Sequence, residues 1–352
     1  MVPVGRIGLV VHGGKEEALA AAREVRRWAA GHEIPCADID VWHDGDGHRR
    51  HAREEAERAG NPDLIVTVGG DGTFLRGVRV AGPIGARVLG VNVGRVGFLT
   101  EVTTDGVTGA LEQVRRGETT VDARMALTMR SSRPLEIPHG IEAMLRYGRG
   151  PMLPPPHVRP GLKSEVGWGV PLDVLALNDI VVEKLARDRQ ASLAVYAGGK
   201  LFASYSADAL IVASSTGSTA YSFAAGGPIV SPHLDALVFT PVAPHMVFNR
   251  SVVLDSSQQI GILVLEHSGQ VAISVDGQLR GVLGPGDWIS VYGAPKRSKL
   301  VRLSEPDFLG KVRDRFGLVD AAAALADGNP PAYAPNKPMP PDLAHPGPVE
   351  ED

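Results

Sequence analysis

Over its first third the chain alternates short, wholly apolar runs with stretches whose hydrophobic residues recur at helical spacing. Residues 6–11 are apolar on both faces, the pattern of a strand buried within a parallel sheet. Residues 15–30 follow, with Leu19, Ala22, Val25 and Trp28 on one helical face. Residues 34–41 predict a second strand. Residues 47–59 predict a polar helix carrying Glu54 and Arg58 as an i,i+4 pair. Asn61-Pro62-Asp63 then breaks the pattern ahead of a third apolar run, residues 64–68. Residues 73–80 predict a helix that Pro83 ends, residues 87–91 another buried strand, and residues 106–116 one more helix. This rhythm predicts an α/β domain with a parallel sheet and right-handed crossovers.

From about residue 120 the pattern changes to short β-rich runs separated by turns. Strands are expected at 124–130, 174–177, 180–183, 191–196, 200–205, 209–214, 251–254, 260–265, 271–275 and 288–292, with Gly198-Gly199 as a hairpin turn. Such a series predicts an all-β, sandwich-like second domain. The expected organisation is an α/β phosphate-binding domain over 1–122, completed by a helix near 306–316, and a β-sandwich acceptor-binding domain over 123–304. The sandwich is interrupted at 131–171 by a Pro/Gly-rich insertion containing Pro154-Pro155-Pro156. Residues 326–352, rich in proline and closing on Glu350-Glu351-Asp352, have the composition of a disordered tail.

With 352 residues, 43% hydrophobic and 22% charged, the chain can bury two cores. A net charge of −4 provides no overall attraction to nucleic acid or to an anionic membrane, so neither is expected as a partner. Cys36 is the single cysteine, and no apolar run approaches the roughly 18 residues of a spanning helix. The expected compartment is the cytoplasm, with no signal peptide and no membrane segment.

The densest chemistry lies where the third apolar run ends, at Gly69-Gly70-Asp71-Gly72-Thr73. Glycines let the backbone approach a polyphosphate and aim N–H groups at it. A carboxylate among phosphates needs a reason, either holding Mg²⁺ or accepting a proton from an attacking hydroxyl. The plainer reading is that Asp71 caps the following helix. The next strand also ends in a glycine-bearing loop, from Asn92 to Thr100, so the two loops are expected to share a crevice. A third stretch, from Asp208 to Tyr221, delivers a run of hydroxyls to a glycine turn. It reads either as a nucleotide-contacting element or as a Ser/Thr-rich helix cap. The P-loop, Gly-x-Gly-x-x-Gly and Gly-x-Ser-x-Gly patterns are absent. Residues 42–51 have the composition of a metal site without paired ligand spacing, which predicts an exposed loop.

Taken together, these motifs resemble the NAD kinases, within the superfamily shared with diacylglycerol and sphingosine kinases and 6-phosphofructokinases. Carrying the resemblance are Gly69-Gly70-Asp71-Gly72-Thr73, Gly90-Val91-Asn92, the run Gly94 to Leu99, Asn178-Asp179, the run Thr216 to Tyr221 with Gly226-Gly227-Pro228, and Val275-Asp276-Gly277. The resemblance implies an active site between an α/β domain and a β-sandwich, in a homodimer or homotetramer. The reaction it implies is transfer of the ATP γ-phosphoryl group to the adenosine ribose 2′-hydroxyl of NAD, with Mg²⁺ or another divalent cation. It implies Asp71 as general base and Gly69, Gly70, Gly72 and Thr73 along the phosphates. Asn92, Phe98, Asn178, Asp179, Asp208, Thr216, Thr219, Ala220 and Tyr221 are implied about the acceptor. The family usually carries Asn-Glu where this chain has Asn178-Asp179, and many members carry serine in place of Ala224. These departures leave open a kinase acting on another nucleoside, nucleotide or lipid. An inactive nucleotide-binding regulator is the third reading.

Overall fold

The computed structural model describes residues 4–42, 50–94, 97–141, 153–159, 169–186 and 189–318. Along the chain, β1 (Ile7–Val11), α1 (Glu16–Gly31), β2 (Cys36–Asp38), α2 (Ala52–Arg58), β3 (Leu64–Gly69), α3 (Asp71–Ile84) and β4 (Arg87–Asn92) alternate. Next come β5 (Val102–Thr103), a 3₁₀ turn (Thr104–Gly106), α4 (Val107–Arg116) and β6 (Thr120–Arg124). The β-rich region then holds β7 (Leu127–Ser131), β8 (Val170–Pro171), β9 (Asp179–Lys184), β10 (Ala191–Ala197), β11 (Lys200–Ala207) and β12 (Ala209–Ser214). A 3₁₀ turn (Thr216–Thr219) and α5 (Tyr221–Ala224) precede β13 (Ala236–Val242), β14 (Val252–Asp255), β15 (Gln259–Val264), β16 (Val271–Val275), β17 (Gln278–Leu283), β18 (Trp288–Gly293) and β19 (Ser298–Arg302).

The first sheet has the order β2-β1-β3-β4-β19-β6, with β5 beside β4. Its pairings are parallel except that of β19 with β6. Both faces are covered. Ala22, Val25 and Trp28 of α1 and Leu111 of α4 pack with Leu9, Val66 and Leu89 on one side. Phe74 and Val78 of α3 pack with Val10, Ile65 and Val88 on the other. Two antiparallel sheets, β11-β10-β15-β18-β7-β8 and β14-β13-β12-β9-β16-β17, enclose a second core. There Leu193, Val195, Ile262 and Val291 of one sheet meet Ile180, Val212, Phe239 and Ile273 of the other. The fold is thus the expected α/β unit plus β-sandwich.

Local differences have physical causes. Pro83 lies inside α3, which runs on to Ile84 and stops at Gly85 in the left-handed conformation. A proline in the last turn sacrifices one hydrogen bond, whereas the left-handed residue ends the helix. Residues 174–177 are apolar without forming a strand; only Ala176 bridges, to Leu127. The strands β13, β17 and β19 were not expected, because Pro241 interrupts one and Arg280 and Lys299 sit within the others. Part of the insertion is packed: Glu136 bridges to Val282 and Val158 to Leu172, and Leu135 and Leu153 are buried. A separate compact unit begins at Asp307 and contains α6 (Phe308–Phe316), whose N-terminus is capped by Asp307 accepting from the Gly310 N–H at 2.7 Å. The tail 326–352 lies outside the described residues. Among the described residues no helix is long and apolar enough to cross a membrane.

Candidate active site

Asp71 stands where β3 meets α3, and it does not cap the helix. The N-cap is Gly70, with no side-chain cap. The Asp71 carboxylate instead accepts the Phe98 N–H at 3.1 Å on Oδ2 and the Leu99 N–H at 3.2 Å on Oδ1. This is possible because β3 and β4 run parallel with Gly69 opposite Asn92, so the loops leaving both strands emerge at one edge. Ligands of open α/β sheets bind at such carboxyl ends. Gly97 makes the approach: a Cβ there would lie 2.1 Å from Asp71 Oδ1. One lone pair on each oxygen is thus taken by the loop, and the rest remain for a substrate proton.

A cleft of 2120 Å³ opens at this turn. Gly69, Gly70, Gly72 and Thr73 line one wall, while Val181, Glu183, Tyr221, Asp276 and Gly277 line the other. Thr73 is buried and packs back against Gly69. Asn92 is also buried, and its amide donates to the Gly94 carbonyl at 2.7 Å, shaping the loop that carries Phe98.

The opposite wall hangs on Asp276. This residue takes a left-handed conformation, φ +47°, in the turn between β16 and β17. Its Oδ1 accepts the N–H groups of Asn178 at 2.7 Å and Asp179 at 3.1 Å, and its Oδ2 that of Leu177 at 2.9 Å. In return Asp276 N–H donates to the Asp179 carbonyl at 3.0 Å. The Asn178 backbone is also met by Gly217, where a Cβ would stand 2.0 Å from the Asn178 carbonyl oxygen. The Asn178-Asp179 pair and the Thr216 turn are therefore locked together by contacts that leave no room for side chains.

Thr216 accepts from Arg124 Nη1 at 3.4 Å, and Thr219 donates back to the Thr216 carbonyl at 3.4 Å. Ala220 leads into α5, where Tyr221 stands exposed at the cleft. Burial of its phenol, and then the carboxylates Glu183, Asp179 and Asp208, push the Tyr221 pKa up. Asp208 itself sits at the far end of β12 from the Thr216 turn and closes on Lys184 at 2.6 Å. Of the predicted acceptor residues, Asp179 and Asp208 are close enough to Tyr221 to act on its phenol, Asp208 being paired with Lys184, while Asn92 and Phe98 belong to the loop that holds Asp71.

Burial pushes the Asp179 carboxyl up to about 7, with the charge of Asp276 adding to it. Burial raises Asp276 as well, but its three N–H donors oppose that rise. Among the described residues only Asp276 has such donors, so it carries the charge and Asp179 keeps the proton. A proton held more tightly when folded means that stability falls as pH rises between the ordinary carboxylate value near 4 and 7. Asp179→Asn is expected to flatten this slope and to raise the urea midpoint at pH 8. An unchanged slope from pH 4 to 7 would contradict the assignment.

Sequence reasoning missed three features. The amides of Phe98 and Leu99 that hold Asp71 are backbone groups with no residue signature. Asp276 was visible only as part of a motif, without a role. Finally, Trp42, Arg50 and His51, from the segment expected to be an exposed loop, line the cleft. The Trp42 ring lies under the Arg76 guanidinium at 4.2 Å, which draws this segment inward; residues 43–49 are outside the described residues. Among the described residues no group of three or more His, Cys, Asp or Glu side chains could hold a metal ion.

Residues 7–119 match the ATP-NAD kinase N-terminal domain and residues 177–303 the ATP-NAD kinase C-terminal domain. The chain is also 61% identical over 350 residues to "NAD kinase 1" of Streptomyces avermitilis, covering 98% of each chain. The chain belongs to the NAD kinase family. A second NAD kinase 1, from Streptomyces coelicolor, is 59% identical over 97% of this chain and 94% of the relative. Two solved NAD kinase-type structures share the fold. A yeast NADH kinase complexed with NADH superimposes with a TM-score of 0.68 over 91% of this chain and 90% of its own, at 22% identity. An NAD kinase from Archaeoglobus fulgidus in complex with ATP does so at 0.60, over 88% and 98%, at 21% identity.

Proposed function

We propose that this protein transfers the γ-phosphoryl group of ATP to the 2′-hydroxyl of the adenosine ribose of NAD, giving NADP. The observation that carries the chemistry is the Asp71 carboxylate, oriented by two backbone N–H groups within a glycine turn whose Gly69, Gly70 and Gly72 line the cleft. A ribose hydroxyl is a weak nucleophile at neutral pH, so it must be positioned, relieved of its proton and faced with a neutralised phosphate. Asp71 takes the proton. The Gly69-Gly70-Asp71-Gly72 backbone, at the start of α3, faces the phosphates with N–H groups. The Asn178 and Thr216–Tyr221 wall holds the adenosine ribose of the acceptor, its backbone fixed by Asp276 and Gly217.

The divalent cation enters as part of the donor, Mg²⁺-ATP. Mg²⁺ keeps several waters and is held through phosphates with one or two carboxylates, so no protein cage is required. Asp71 as the single carboxylate of the turn fits that donor set, and the cation would neutralise charge on the transferring phosphoryl group.

The test is incubation with Mg²⁺-ATP and NAD, with NADP read by an NADP-specific dehydrogenase. Recovery of intact NAD with no NADP formed rejects the reading. A homodimer or homotetramer in the cytoplasm completes the proposal. The edge strand β11 exposes Leu201 and Phe202, the latter edge-to-face with exposed Phe248 at 5.8 Å, beside exposed Val247. Apolar groups on an unpaired edge favour coverage by another copy. Light scattering is expected to give at least twice the monomer mass, and a monomer at micromolar concentration would refute it.

A further inference from the structure

The part of the cleft beyond the Asp71 turn carries charged groups that phosphoryl transfer at Asp71 does not use. Along α3, Arg79 follows Asp71 by eight residues, about 12 Å at the usual helical rise. Its Nη2 meets Glu55 at 2.7 Å. From the insertion, residues 153–159 run as a strap beside the chain leading to β9. The Asp173 N–H donates to the His157 carbonyl at 2.7 Å, and the Arg159 N–H to the Pro171 carbonyl at 2.8 Å. The strap presents His157, whose ring stacks on that of His51 with centroids 3.4 Å apart. It also presents Arg159, which faces Asp173 at 3.9 Å.

Arg280 of β17 closes this end. It is 8% exposed, lines the cleft, and its Nε has no hydrogen-bond partner among the described residues. The carboxylates whose charge it senses, Asp173 and Glu55, each have an arginine of their own. With Arg76, which also senses Glu55, the guanidinium groups here outnumber these two carboxylates, and among the described residues Arg280 closes on neither of them. A buried cation without a counter-ion is costly, and burial accordingly pulls the Arg280 pKa down to about 10. Arg280 is close enough to His51 to oppose its protonation, as do burial and His157, while Glu54 and Asp173 favour it.

We propose that Arg280, His51 and His157 form an anion subsite that takes a phosphate group, distinct from the phosphoryl group transferred at Asp71. The guanidinium offers a planar pair of donors to two phosphate oxygens. His51, whose protonation Arg280 opposes, gains a charged N–H once an anion compensates for that cation, so binding and protonation reinforce one another, and the His157 ring stacked on it adds a second polar edge. The segment 153–159 gives the insertion a task, since without His157 and Arg159 this end of the cleft would lose one wall.

Thermal unfolding of wild type, Arg280→Met and His157→Asn in inorganic phosphate tests the subsite without any turnover, so its outcome is separate from that of the NADP assay. Phosphate is expected to raise the Tm of wild type and to leave Arg280→Met unmoved. The Met variant alone should fold with an equal or higher Tm, since it removes a buried charge. In wild type, sulfate, which stays dianionic, should bind at least five-fold more tightly at pH 6 than at pH 8, and His157→Asn should reduce that ratio. The imidazole NMR resonances of His51 and His157 should shift with phosphate in wild type, a readout that needs no variant. A raised KM for ATP in Arg280→Met assigns the bound group to the nucleotide's own phosphates. An unchanged KM with lost phosphate protection assigns it to a separate anion. Equal phosphate protection in all three proteins, or imidazole resonances that do not move, overturns the proposal.

Discussion

Asp71→Asn is expected to lower kcat for NADP formation by about a thousand-fold, the middle of the range for a general base, while leaving the KM for NAD within a few-fold of wild type. The substitution removes the only oxygen pair at the turn able to take the ribose proton. It has a second consequence, visible in the hydrogen bonds. Both carboxylate oxygens accept a backbone N–H, from Phe98 and from Leu99. An amide can satisfy only one of these, so the loop loses about 1 kcal/mol and the Tm falls by a few degrees. A steady-state comparison beside a melting curve separates the two effects. Activity within ten-fold of wild type would remove Asp71 from the role of base.

Gly97→Ala should reduce kcat/KM by about a hundred-fold or more without touching a substrate. The new Cβ would stand 2.1 Å from Asp71 Oδ1 and 2.5 Å from both Cγ and Oδ2, so the carboxylate must turn or the loop must retreat. A displacement near 1 Å at a reacting group costs on that scale. The defect works through Asp71, which makes it testable by a double-mutant cycle. On an Asp71→Asn background, Gly97→Ala should cost almost nothing further, because the positioned group is already disabled. Additive losses in the double variant would show that Gly97 acts on the fold or on NAD rather than on the carboxylate.

Both predictions rest on a contact between residues 26 to 28 positions apart, and this marks what was legible in the sequence. Apolar runs 6–11, 64–68 and 87–91 announced buried parallel strands because a strand covered on both faces must be apolar on both. The turn at Gly69 to Thr73 announced phosphate chemistry because few other uses combine three glycines with a lone acid. The two antiparallel sheets were less legible. β17 and β19 carry Arg280 and Lys299, whose charges mask the strand pattern, and β13 carries Pro241. The insertion read as an excursion, because proline-rich composition does not reveal that Val158 bridges to Leu172 or that His157 reaches His51.

By itself, then, the sequence determined the class of both domains and the identity of the acid at the phosphate turn, since periodicity and glycine content act over a few neighbouring residues. The tertiary structure alone decided what the acid does with its oxygens. Asp71 could have capped α3; the parallel pairing of β3 with β4 offers it the Phe98 and Leu99 amides instead, and only the missing side chain of Gly97 lets them meet. In the same way Asp276 became the brace of Asn178 because β16 lies beside β9, a pairing between segments far apart in the chain. Hydrogen bonds to backbone N–H groups carry no residue code, so their partners appear only once the chain has folded.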